Sequence, residues 1–284
     1  MDIFLLEAVL DGLLLGGVLA LLALGLNLIF GVIDVVWICY VELVMCGMYT
    51  VYWLYAYFGV PFPLACLAAI VVVAVLGLAV HRLIIEPVLS FAPINQLLAT
   101  GGLLFFLQSF ATLLFGTDFR NVGIHLAPIE LGEIDVSKAR LLAFAVALIG
   151  AGGLYLFLKR TYLGTAIRAI AEDREVMGLM GVSPRRIYFI TSGIGGGLAG
   201  LAACLLVLQY DVHPFIGSSF GPITFMICVL GGLGNMIGGF AAAFIMSQII
   251  AVGGYYFSIE FSYVLAFLLF IVMIFVRPQG IFSR

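Results

Sequence analysis

Glu42, in "WICYVELVMCGMY" at 37–49, is the carboxylate set most clearly inside an apolar run. Gln108 and Asn235 are milder polar residues in similar surroundings, and Glu260 stands near the end of another such run. An ionisable side chain in hydrocarbon is costly and is by default a functional candidate, here a hydrogen-bonding or charge partner for a solute in transit. It can equally be a helix-end carboxylate held by hydrogen bonds within a bundle. Trp37 and Tyr40 stand beside Glu42, and with Gln108 and Asn235 these residues form the candidate lining of a solute path.

The remaining chemistry-bearing residues form no catalytic pattern. His81, His125 and His213 are scattered and lack the spacing of a metal site. His81, beside Arg82, reads as an interfacial residue, and His213 in Asp-Val-His-Pro reads as a turn near a span end. Cys39, Cys46, Cys66, Cys204 and Cys228 lie in hydrophobic runs without Cys-x-x-Cys spacing, as small core residues do. No Gly-x-x-x-x-Gly-Lys-Ser/Thr occurs, so the glycine-rich runs at 193–200 and 231–239 are packing surfaces, not phosphate loops. Gly12/Gly16, Gly193/Gly197, Gly196/Gly200 and Gly234/Gly238 have the small-x-x-x-small spacing that lets helices approach closely. A chain with this content binds no cofactor of its own and needs energy from another subunit or an ion gradient.

Charge concentrates in "RAIAEDREVMGLMGVSPRRIY" at 168–188. Helix-forming composition from Leu163 to Met180 puts Arg168, Glu172, Glu175 and Leu179 on one face, with Ile167, Ile170, Met177 and Met180 roughly opposite. Asp173 and Arg174 interrupt the apolar stripe. Gly181 stands where a helix C′ residue belongs, and Ser183-Pro184 supplies the N-cap and first-turn proline of a following helix. Arg185 and Arg186 then fall at a helix N-terminus, where the macrodipole disfavours cations, so topology or a partner must outweigh that cost. On periodicity alone this is either a helix resting on lipid headgroups or one that docks into a soluble partner.

The elements that must position these residues are membrane spans. Of 284 residues, 64% are hydrophobic and 10% charged, with a mean hydropathy of +1.27, far from the balance of a water-soluble domain. Apolar stretches long enough to cross as helices, about 20 residues each, recur near 8–30, 36–58, 62–85, 94–116, 140–159, 187–209, 217–235, 238–256 and 259–276. The fold class is an all-α polytopic membrane protein of eight to nine transmembrane helices in a single domain, 1–284. The tight links at 31–34 and 234–238 make one broken or re-entrant segment an alternative to nine full spans. The acidic start, "MDIFLLEAVLDGLLLGG", does not read as a cleavable signal.

Lys159, Arg160, Arg168, Arg174, Arg185 and Arg186 crowd the segment at 160–187, whereas the 117–139 loop carries Asp118, Glu130, Glu133 and Asp135 against Arg120 and Lys138. The positive-inside rule makes the first cytoplasmic and the second external. Counting crossings then puts the Arg82–Pro93 loop, Arg277 and Arg284 inside.

Several motifs, in order, carry a family resemblance. "LLLGGVLALLALGLNLIFGV", "NQLLATGGLLFFLQSFATLLFG", the segment at 168–188 with the following "GGLAGLA", "VLGGLGNMIGG" and "VRPQGIF" together resemble the LivH/LivM permeases, membrane subunits of ABC importers for branched-chain amino acids. The resemblance covers nearly the whole chain, and its length is closer to the LivH side. It implies a bacterial inner-membrane permease forming half of a translocation pore for branched-chain amino acids or a related small polar solute. It implies as partners two cytoplasmic ATP-binding subunits, a second, LivM-like permease and a periplasmic solute-binding protein, with ATP bound by the partners alone and no nucleic acid involved. It further implies that Arg168–Arg186 is a cytoplasmic coupling segment, with Met177 and Met180 as apolar anchors, Arg168, Glu172, Arg174, Glu175 and Arg185 as polar contacts and Gly181 at its turn.

One stretch departs from the family. Its members usually read Asn-Phe/Leu-Ala-His-Gly-Asp/Glu where this chain has Trp37-Ile38-Cys39-Tyr40-Val41-Glu42, and only the acidic position survives before the pattern resumes at Met45, Gly47 and Tyr49. Bulkier groups there alter hydrogen bonding and helix approach, which leaves the cargo open among amino acids, amides, urea and small organic acids. An ion-coupled secondary transporter would rest on Glu42 alone, and an intramembrane enzyme would need a nucleophile or metal cluster that the sequence does not offer.

Overall fold

The computed structural model describes residues 3–124, 128–131, 134–277 and 280–282. His125, Glu133, Pro278-Gln279 and Arg284 lie outside the described residues. In lipid every backbone N–H and C=O must find a partner within the protein, so apolar runs close on themselves as helices. Seven described helices are long and apolar enough to cross a membrane. They are α1 (Ile3–Ile33), α3 (Phe62–Val80, prolonged through a π-turn at His81–Ile85 and the short α4, Glu86–Val88), α5 (Pro93–Phe115), α6 (Lys138–Arg160), α9 (Pro184–Leu206), α11 (Met236–Tyr256) and α12 (Ile259–Val276). The sequence boundaries agree with these to within a few residues.

The second and seventh expected spans are different. The second is α2 (Tyr40–Tyr52), extended by a π-turn at Trp53–Tyr57, and the seventh is α10 (Ile216–Gly231). Neither fills the run of apolar residues assigned to it as regular α-helix, because residues 34–39, at the start of the second, and 232–235, at the end of the seventh, are non-helical. Between α6 and α9 lie two short helices, α7 (Tyr162–Glu172) and α8 (Arg174–Leu179). The loop after α5 carries a small antiparallel hairpin, Ile129–Leu131 with Ile134–Val136, the described exception to an all-helical fold.

α1 is the central post, sheathed by α11, α9 and α6, while α3 packs along α9, and α2 fits between α3, α9 and α10. Glycines make the closest approaches. Gly12 and Gly16 face Ala251, Gln248, Ser247 and Phe244 of α11, and Gly196 and Gly200 of α9 lie against the α3 backbone around Val73, Gly77 and Ile70. Gly193 abuts Leu78, Gly234 abuts Gly31, and Gly238 abuts Gly231. Gly197 is looser, with only Ala74 near its absent side chain, at 3.9 Å.

That contrast yields a prediction. A Cβ on Gly196 would stand 2.7 Å from the Val73 carbonyl oxygen and 3.2 Å from the Ala74 Cα, both backbone atoms that cannot rotate away. Gly196→Ala is expected to lower unfolding stability by roughly 1–3 kcal/mol through forced separation of α3 and α9, and Gly197→Ala to change it little. Thermal unfolding of the two variants in detergent, side by side, checks this.

His81 is turned into the protein and does not face its surface. It is 1% exposed, and its Nδ1 shares a 3.0 Å hydrogen bond with Ser192 Oγ, fixing the α3 end to α9. The five cysteines are free and buried or half-buried, as core residues.

Candidate functional site

Near the middle of the bundle, two short helices begin where a full span would have continued. Thr100 of α5 donates to the Val36 carbonyl at 3.1 Å, and Gln108, two turns further along α5, donates to Glu42. Gln108 lies fifteen residues past Pro93, about 22 Å along the helix at 1.5 Å per residue. The chain therefore climbs through residues 35–39 in non-helical form and starts α2 inside the bundle. Non-helical backbone at such depth is tolerated only where protein or a cavity satisfies it. Here Thr100 satisfies Val36, and the rest of the segment borders a cavity.

Glu42 sits in the first turn of α2 and is 1% exposed. Its Oε1 accepts from Gln108 Nε2 at 2.9 Å, and the same Nε2 lies 2.7 Å from Ser218 Oγ in the first turn of α10. Gly217 precedes that serine, and a Cβ there would stand 2.5 Å from the Glu42 carboxyl carbon, so glycine lets the carboxylate lie against α10. Two helix N-termini thus converge on one carboxylate, and their exposed N–H groups and dipoles favour negative charge at that point. Glu42 Oε2 and the indole Nε1 of Trp37 have no hydrogen-bond partner among the described residues. Pro222, inside α10, has no N–H to offer the Ser218 carbonyl, which leaves that acceptor outside the helical ladder.

These groups meet at a cavity of about 370 Å³ walled by Leu26, Ile38, Leu97, Leu104 and Phe225, with Trp37, Glu42, Ser218, Gly221 and Pro222 on its lining. A mostly apolar space with a few convergent polar atoms is the usual form of a small-molecule site. Glu42, Trp37 and Gln108 are therefore together. Gly217, Ser218 and Pro222 belong with them and were missed, although a proline inside an apolar run was a visible sign of a broken helix.

Tyr40 and Asn235 are elsewhere. Tyr40 is fully buried, its hydroxyl donating to the Gly195 carbonyl at 3.1 Å in space left by Gly25, so it locks α2 to α9 and α1. Asn235 is the N-cap of α11, accepting from Gly238 N at 3.0 Å and donating to the Phe282 carbonyl at 2.8 Å.

Asn235 instead borders a second, polar cavity of about 790 Å³ at the basic end, with Asp34, Lys159, Arg168, Glu172 and Arg174. The helix expected over Leu163–Met180 is in fact two. Asp173 ends α7 and caps α8, its carboxylate accepting from the N–H groups of Glu175 and Val176, each at 3.0 Å. α8 itself ends at Leu179, and Met180, beyond it, does not share the environment of Met177. Met177 packs toward the core, while Met180 and Leu179 are 74% and 89% exposed. Glu175 is exposed on α8. Gly181 has φ +84°, the left-handed C′ conformation expected, and Pro184 opens α9. Ser183 holds the N-cap position without a side-chain cap hydrogen bond.

Three ion pairs lie at this end. Arg174 reaches Asp34 at 3.4 Å, and Asp34, at φ +63°, is the residue from which the chain leaves α1 toward Trp37. Arg185 lies 3.5 Å from Glu86, which also takes a 2.5 Å contact from Arg82. Glu86 is thus the anion that offsets a cation at the α9 N-terminus. At the opposite end Arg120 lies over the rings of Tyr52 and Trp53, pairs with Val212 through the backbone, and brings the loop after α5 against the loop before α10. His213 lies there against Phe119, with ring centres 4.6 Å apart and the planes tilted by 46°.

A family model described as branched-chain amino acid transport system / permease component matches residues 8–274. The permease protein BraD of the high-affinity branched-chain amino acid transport system of Pseudomonas aeruginosa is 32% identical, over 98% of this chain and 96% of its own length. LivH of Escherichia coli K12 is 27% identical over 99% of this chain and 96% of its own. LivM of the same organism is 30% identical over 92% of this chain and 67% of its own. No solved structure matches significantly. With its apolar helices, its polar cluster inside the bundle and a family match along almost its entire length, the chain belongs to the permease components of the branched-chain amino acid transport systems.

Proposed function

We propose that this chain is one membrane subunit of an ABC importer, and that its solute passes through the cavity between α2, α5 and α10. The observation that carries this reading is the Glu42–Gln108–Ser218 cluster, a buried carboxylate with a spare oxygen at the meeting point of two interrupted helices. Broken helices whose termini face a midplane site are a recurring way to recognise charged solutes in transport proteins. The cavity suits an amino acid with an apolar side chain. The spare Glu42 oxygen and the Ser218 carbonyl can accept from an ammonium group, the Trp37 indole N–H and helix N–H groups can donate to a carboxylate, and Leu26, Leu97, Leu104 and Phe225 can surround the side chain.

On this reading the basic end is cytoplasmic, in the bacterial inner membrane, and the loop after α5 is external. Leu179 and Met180 at the tip of α8 then project toward water, where apolar groups of that exposure mark a contact surface. They fit the surface of a cytoplasmic ATP-binding subunit. The Arg174–Asp34 pair gives a motion of α8 a direct route to the segment that carries Trp37 into the cavity. A second, LivM-like permease, a pair of ATP-binding subunits and a periplasmic binding protein complete the machine. ATP would be bound and hydrolysed on the partner subunits.

Purification of the chain from cells expressing its native operon tests the assignment. The expected result is recovery of ATP-binding subunits and a second permease, with uptake in proteoliposomes that requires ATP. Recovery of the chain alone, together with solute uptake driven by an ion gradient without ATP, would overturn it.

A further inference from the structure

We infer that the groove between α1, α6 and α11 is a binding site for an anionic glycerophospholipid of the leaflet on the α7–α8 side. The groove, of about 320 Å³, is lined by Leu24, Leu148, Ala151, Gly152, Met236 and Phe240 and is almost wholly apolar. Gly152 leaves it open, since a Cβ there would meet nothing within 4 Å, and the neighbouring Gly153 is equally uncrowded. Glycines on a span usually serve close helix packing, yet no described helix fills the space beside these two.

The groove does not end blindly. Tyr155, Met236 and Ile237 line both it and the polar cavity at the basic end, so the apolar channel runs directly into a space bordered by Lys159 and Arg168. Neither cation has a carboxylate within ion-pair distance among the described residues, whereas Arg174 beside them is paired with Asp34. Lys159 follows Tyr155 by one helical turn and lies 5.5 Å from its ring centre, which places an ammonium and a phenol together at the mouth of the groove. A chain of hydrocarbon length below, with two unpaired cations and a phenol above, is complementary to one acyl chain and one phosphate of the same molecule. A zwitterionic lipid fits the groove equally well but gains less from the cations. An anionic lipid seated there would hold α6, α7 and α11 together beside the coupling segment.

Native mass spectrometry of the purified transporter, offered phosphatidylglycerol and phosphatidylcholine of matched chains, tests this. The wild type is expected to retain phosphatidylglycerol preferentially. Lys159→Gln is expected to cut that preference roughly fivefold, the effect of one cation near a phosphate, without altering phosphatidylcholine retention. Gly152→Phe, which fills open space and strains no contact, is expected to reduce retention of the bound lipid whatever its headgroup. Equal retention of the two lipids by the wild type, or an unchanged preference in Lys159→Gln, would sink the proposal. So would efficient crosslinking of a cysteine at position 152 to another subunit of the assembled transporter, which would make the groove a subunit interface.

Discussion

Glu42→Gln is expected to lower uptake by about 10- to 100-fold while leaving the protein folded, the loss that goes with one charge-assisted hydrogen bond in a buried setting. The substitution is nearly isosteric. Gln108 can still donate to the remaining amide oxygen, so the link between α2 and α5 survives. The negative charge against the first turns of α2 and α10, and the carboxylate oxygen that no described residue uses, both disappear. If Glu42 only held the bundle together, the retained hydrogen bond would keep uptake close to wild type. Transport assays in proteoliposomes, paired with thermal unfolding of the same preparations, separate these outcomes. Normal stability with depressed uptake assigns the carboxylate to the solute path, and normal values of both assign it to the scaffold.

Much of the scaffold is legible from hydropathy because lipid leaves one solution for an isolated apolar run of about 20 residues. The limits of α5, α11 and α12 follow from this almost to the residue. α2 does not, since an apolar extended segment leading into a short helix has the same hydropathy as one full span, and α10 stops four residues early, at Gly231, in the turn before Asn235. The difference lies in tertiary contacts, Thr100 to Val36 and Gln108 to Glu42 and Ser218, which join residues 64 to 110 positions apart. Tyr40 shows the same limit. A bulky polar residue two positions from Glu42 reads as pore lining until the fold brings the Gly195 carbonyl to its hydroxyl.

Local chemistry was readable where it was given its full weight. Asp173 spoils an amphipathic stripe, and an aspartate ahead of Arg-Glu is also a strong N-cap. The structure uses it as the cap, and the stripe ends there. Asn235, likewise, is the cap of α11, in keeping with the preference of asparagine for that position, and stands away from the Glu42 cluster. Gly181 and Pro184 each punctuate the chain where their backbone preferences place them.

On the proposed assembly α8, which starts at the Asp173 cap, would meet its partner through the apolar residues exposed at its far end. Leu179 and Met180 lie next to Gly178 and Gly181, around which there is open space, and contribute little to the core. Leu179→Asp combined with Met180→Asp is therefore expected to leave membrane insertion and unfolding stability unchanged. Desolvated apolar anchors at protein interfaces are each worth about 2–4 kcal/mol, so association with the ATP-binding subunits should weaken by at least roughly 30-fold. Met177 serves as the contrast, since it packs toward the core and Met177→Asp should destabilise the chain itself. Co-purification of the ATP-binding subunits with each variant, alongside its unfolding temperature, reads both effects. Undiminished recovery with the double aspartate variant would remove α8 as the docking element and leave the Arg174–Asp34 pair without a motion to transmit.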